Sequence, residues 1–150
     1  MAIERPIDPD AVLFTGVANR LALALAGLVS DQLLLSEGDM PYEPFTAAFP
    51  VERRVNATSL REELGFEASR TVVLAAAAGF FAGVAAAADE EGDQQARQAW
   101  AVVETVMHGT MGRLHVARVR GDGVVEVPFL LFGRLAGGPL VGLRSIAIET

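Results

Sequence analysis

The chain has 150 residues, 51% of them hydrophobic, a formal net charge of −7 and no cysteine, with a sequence pI of about 4.8. That length and apolar content suit one folded domain over 1–150 with a real core and exclude a disordered chain. The acidic balance argues against direct nucleic-acid binding, which needs a basic surface, and suits a partner with a basic cleft; the absence of cysteine excludes disulfides, zinc–thiolate sites and cysteine nucleophiles.

Residues 1–8 read as a flexible arm. Asp8, Pro9 and Asp10 then make a helix start: a capping carboxylate, a proline in the first turn and a second acid near the positive end of the helix dipole. Phe14, Val17, Ala18, Leu21, Leu25, Leu28 and Val29 recur at steps of three and four, which is one apolar helical face turned to the core. The apolar helix end is expected to reach the leucines and stop at Ser36. The stretch 21–30 (LALALAGLVS) has the apolar look of a signal peptide. The acids Glu4, Asp8 and Asp10 before it do not make a basic leader, so a cytoplasmic protein is expected.

Residues 33–45 (LLLSEGDMPYEPF) are the most distinctive stretch. Glu37, Asp39 and Glu43 crowd a short loop. Pro41 and Pro44 stiffen it, because each fixes its own φ and biases the preceding residue towards extended geometry. Gly38 permits a sharp reversal. Tyr42 and Phe45 supply apolar anchors. Carboxylates shown to solvent from a well-held base describe a recognition loop and an ordinary acidic turn alike.

Tyr42 to Phe49 reads as a strand closed by Pro50, and Arg53 and Arg54 as solvated charges on a connection. Ser59 and Glu62 fit a capping box for a short helix carrying Leu60 and Leu64 and ended by Gly65. The run 71–88 is uncharged, but alanine and glycine dominate it, so its drive to enter a bilayer is weak. It reads as an extended piece, Val72 to Leu74, followed by a short helix, Ala75 to Val84, with Phe80 and Phe81, buried between sheet and helices. The acidic block 89–93 (DEEGD) opens a second main helix, whose buried stripe is Ala96, Trp100, Val103 and Met107 and whose stop is Gly109.

The period then changes to two. Leu114 to Arg120, Val124 to Phe132 and Leu140 to Ile148 read as strands, the first two joined as an antiparallel hairpin by Gly121-Asp122-Gly123. Pro128 lacks a donor and belongs at an edge or a bulge. The fold class is α+β, an antiparallel sheet with helices packed on it.

Candidates for catalysis are few. His108 follows Glu104 by four residues on one helix face, and His115 lies on the next strand, so an acid–base pair is conceivable. A histidine in a last helical turn more simply complements the dipole and faces water. Glu37, Asp39 and Glu43 lack the further oxygen ligands and loop pattern of a calcium site. No Gly-rich phosphate loop and no nucleophile elbow are present. Neither enzymatic activity, nor a cofactor, nor a metal site is expected.

Two stretches at opposite ends carry a resemblance. The first is Leu33, Leu34, Leu35, Ser36, Glu37, Asp39, Pro41, Tyr42, Glu43 and Phe45. The second is VEVPFLLFGRLAGGPLVGLRSIAIET, down to Glu149-Thr150. In these the chain resembles the nuclease A inhibitor family, small acidic bacterial proteins that block a sugar-non-specific DNA/RNA nuclease. The resemblance implies an α-β-α sandwich and a 1:1 complex with such an endonuclease. It implies that Glu37 approaches the nuclease's magnesium through a bound water and that the carboxylate of Thr150 pairs with a basic group. Asp39 and Glu43 would flank them, with Tyr42 a packing contact. The family tends to be acidic before its paired phenylalanines, where this chain is alanine-rich. An adaptor domain of the same fold with a different partner is the alternative.

Overall fold

Ala18, Ala22, Leu25 and Val29 are buried at steps of four, three and four. Helix α1 (Pro9–Leu28) therefore seats a narrow apolar stripe on the sheet, while Val17 and Leu28 stay exposed. The computed structural model describes residues 9–136 and 138–150, with side chains from residue 16 onward. The N-terminal arm, the capping role of Asp8, and the side chain of Phe14 fall outside the described residues.

After α1 come β1 (Leu33–Leu34), β2 (Met40–Pro41), β3 (Glu43–Ala47), α2 (Ala57–Glu63), β4 (Thr71–Ala76), α3 (Ala78–Glu91), α4 (Gln94–Thr110), β5 (His115–Arg120), β6 (Glu126–Arg134) and β7 (Leu140–Ile148). Strands β3 to β7 form one five-stranded antiparallel sheet in the order β3-β7-β6-β5-β4, and β1 pairs with β2 in a separate ribbon. Successive strand side chains point to opposite faces. On β6, Val127, Phe129 and Leu131 join a core built with α1, α3 and α4, while Leu130 and Phe132 join a second core built with α2. The result is an α-β-α sandwich. On α4 the buried stripe is Ala96, Trp100, Val103 and Met107, as its period predicts. Val103 and Met107 are completely buried, each contributing about 1.5–3 kcal/mol.

Several local expectations are corrected. The apolar helix does not reach Ser36: α1 ends at Leu28, and Leu33–Leu34 is extended against Met40–Pro41. Ser30 and Asp31 compete with helical hydrogen bonding, and leucine serves a short strand as well as a helix. The capping box of α2 starts one turn earlier. Asn56 Oδ1 accepts from Ser59 N at 2.8 Å, and Ser59 Oγ accepts from Asn56 N at 2.9 Å. Arg53 is not simply solvated but pairs with Glu62 and Glu63.

The acidic block straddles a helix junction. Asp89, Glu90 and Glu91 finish α3, Gly92 turns out at φ 66°, and Asp93 caps α4 by accepting from Ala96 N at 3.0 Å. Carboxylates at a helix C-terminus are unfavourable, and Arg97 offsets this by pairing with Asp89. The alanine-rich run does divide into a strand and a helix, but it is not buried throughout. Strand β4 is an edge, and only Phe81 and Ala88 of α3 are buried. Small alanines leave little apolar surface to hide. Among the described residues no helix is long and apolar enough to cross a membrane. Pro128 lies on an inner strand, one residue beyond the point where the β5–β6 ladder ends at Phe129. A missing donor is tolerated there.

Candidate functional site

The edge of β7 has two covers. Strand β3 pairs with Leu140–Arg144. Beyond it the residues Ser145 to Ile148 would present unpaired backbone groups, which sheets seldom leave open. The acidic loop fills that place. Ser145 Oγ donates to the carbonyl of Pro41 at 2.8 Å or of Met40 at 3.2 Å. Ile148 N donates to Ser36 Oγ at 3.2 Å, and Glu37 N donates to the Ile148 carbonyl at 3.3 Å.

Close approach explains the glycine. A Cβ on Gly38 would lie 2.2 Å from Ile148 Cγ1. The left-handed residue of the turn is Asp39, at φ 45°, so the reversal falls one position later than expected. Aspartate tolerates that conformation better than most side chains.

Docking the loop on β7 unites two residues far apart in the chain. Thr150 Oγ1 donates to Glu37 Oε2 at 2.6 Å. Glu37, Asp39, Glu43 and Thr150 are all exposed. Glu43 faces Arg144 at 3.3 Å across two exposed side chains, a pair of small stabilising value. Tyr42 is placed differently. It is 7% exposed, with its ring edge-on to Trp100, Phe129 and Phe80 at centroid distances of 5.0, 6.3 and 6.5 Å. Burial pushes its phenol pKa well up, with Arg118 opposing. The ring holds the end of the loop to the core.

The sequence reading missed the residues that fix the tail. Arg118 and Arg120, two apart and therefore on one face of β5, reach Glu149 at 4.0 and 3.1 Å. Glu149 N also donates to the Val125 carbonyl at 2.9 Å. The alternating arginines of HVARVR were the available signal, but their partner is visible only once the strand order is known. Ser145, and the contact of Ser36 with Ile148, were not foreseen for the same reason.

The two histidines are not assembled into a site. His108 is exposed, 3.8 Å from Glu104. His115 is half-buried on β5 with its ring against Phe132. Among the described residues no three histidines or carboxylates gather as a metal-binding group. Burial, reinforced by Arg113, pushes the His115 pKa below its ordinary 6.5. The unfolded chain then binds this proton more readily than the folded one. The stability due to neutral His115 is full above the unfolded pKa and is lost as pH falls through and below it. Thermal melts from about pH 7 to pH 5 should therefore decline less steeply for His115→Gln than for wild type; equal slopes would remove His115 as a source of acid sensitivity.

No curated protein matches the chain. A family model described as nuclease A inhibitor-like protein matches residues 17–150, which takes in the acidic loop, the whole sheet and the tail. On that match the chain belongs to the nuclease A inhibitor-like family.

Proposed function

We propose that this protein is a non-catalytic inhibitor of a magnesium-dependent, sugar-non-specific endonuclease, binding it one to one. The observation that carries the reading is the hydrogen bond between Thr150 and Glu37, which joins the acidic loop and the tail in one exposed surface. Such an enzyme holds a polyanion beside a metal in a basic cleft. Carboxylates presented in a fixed arrangement occupy the places of phosphates. Glu37 faces the nuclease's magnesium through a metal-bound water, and the Thr150 carboxylate pairs with a basic group of the cleft. Asp39 and Glu43 flank them, Glu43 exchanging Arg144 for the partner, and Tyr42 supports the loop from beneath. The loop is already held by β7 and the tail by Arg118 and Arg120. Little ordering cost then remains on binding.

The test is a titration against magnesium-dependent, sugar-non-specific nucleases, followed by plasmid degradation. Activity should fall to near zero at equimolar inhibitor. A variant extended by one residue after Thr150, or amidated there, should inhibit at least about tenfold less tightly and melt at an unchanged temperature. An extended variant as potent as the original would take the tail out of the surface. Failure against every such nuclease would favour an adaptor with another partner.

A further inference from the structure

The leucines before the acidic loop divide their roles. Leu34 is 3% exposed and lies in the core, whereas Leu33 and Leu35 are 49% and 68% exposed. Alternation along an extended segment puts these two on the same side. A lone exposed leucine is ordinary. Here two of them stand four and two residues before Glu37, at the rim of a hollow of about 60 Å3 bounded also by Val84, Ala87 and Trp100. That is several times the roughly 10–15 Å3 that one water needs, which is room for the end of an aliphatic side chain. Glu91 lies at the rim of the hollow, and Asp31 and Glu37 are exposed beside the leucines in sequence. Among the described residues the polar side chains that line the hollow are Gln32 and Glu91, with Trp100 adding its ring N–H, and no arginine lines it. The matching occupant is an aliphatic side chain carried among basic groups.

We infer that Leu33, Leu35 and this hollow form the apolar part of the nuclease-binding surface, receiving one aliphatic side chain that the nuclease bears beside its basic cleft. The inference rests on the inhibitor reading above. It assigns a division of labour: the rim charges flanking Glu37 set encounter rate and partner choice, and the desolvated apolar contact slows dissociation alongside Glu37.

The experiment measures inhibition and dissociation rate for Leu35→Ser, Leu33→Ser/Leu35→Ser and Ala87→Phe, against a nuclease that wild type inhibits, at low and high salt. The double variant should bind about 10- to 100-fold less tightly. The loss should lie in faster dissociation and persist at high salt. Ala87→Phe keeps both leucines but fills the hollow from the helix side, and should weaken binding in the same way. Melting temperatures should stay close to wild type, because the replaced side chains are exposed or half-exposed. Wild-type affinity in the double variant and in Ala87→Phe would overturn the inference while leaving inhibition intact. Absence of inhibition by wild type itself would overturn both.

Discussion

Glu37→Gln is expected to weaken nuclease binding by roughly 30-fold to several-thousand-fold, the equivalent of about 2–5 kcal/mol when one partner of a close interfacial charge pair is removed. The substitution keeps the shape of the side chain and its capacity to accept from Thr150 Oγ1, so the loop stays docked. What disappears is the charge that the proposed mechanism sets against the divalent cation. Asp39→Asn should cost less, because a rim charge is screened by water and salt and acts mainly on the association rate. The measurement is a binding series of wild type and both variants at low and high salt. Wild-type affinity in Glu37→Gln would end the phosphate-mimic mechanism even if inhibition were real. Both side chains are exposed, so neither change should move the melting temperature appreciably.

The second large effect concerns stability. Gly142 pairs across the sheet with Phe45 on one side and Phe132 on the other. The two rings meet across it at 6.3 Å in an edge-to-face arrangement. A Cβ on Gly142 would lie 1.8 Å from the Leu131 carbonyl oxygen, on backbone that cannot rotate away. Gly142→Ala should therefore force β6 and β7 apart and cost about 3 kcal/mol or more. For a domain of this size that lowers the melting temperature by about 6–12 °C. Gly109→Ala is the control. Its Cβ would meet nothing within 4 Å, and alanine suits a helix better than glycine. Equal melting temperatures for Gly142→Ala and Gly109→Ala would refute the steric argument.

What could be read in advance followed from periodicity. The bounds of β7 and the stripe of α4 match the structure because each is a long segment of a single period. The end of α1 does not match, since LLL satisfies helix and strand equally and only pairing with β2 decides. The cap of α2 was misplaced because Asn56 and Ser59 are both good capping residues, and the box between them uses each in a different role. The acidic block gave no hint that Gly92 divides it. At the candidate site, neither composition nor spacing links Glu37 with Thr150; that came from the family resemblance. The support beneath them, Ser36, Ser145 and the Arg118–Arg120 grip on Glu149, depends on which strands become neighbours. A one-dimensional pattern does not contain that.

The docking of the loop on β7 also makes the arrangement of the loop depend on a distant part of the chain. Ser36 rests on Ile148, 112 residues later in the chain, and β7 must lie between β3 and β6 before the loop has that support. Closing so long a stretch of chain is among the slower steps available to a small domain. A nascent chain still short of β7, or a molecule clipped before it, carries every acidic residue of the loop without the support that fixes them. Under the proposed function, inhibitory potency should therefore follow the entry of β7 into the sheet, and not the mere presence of the acidic residues.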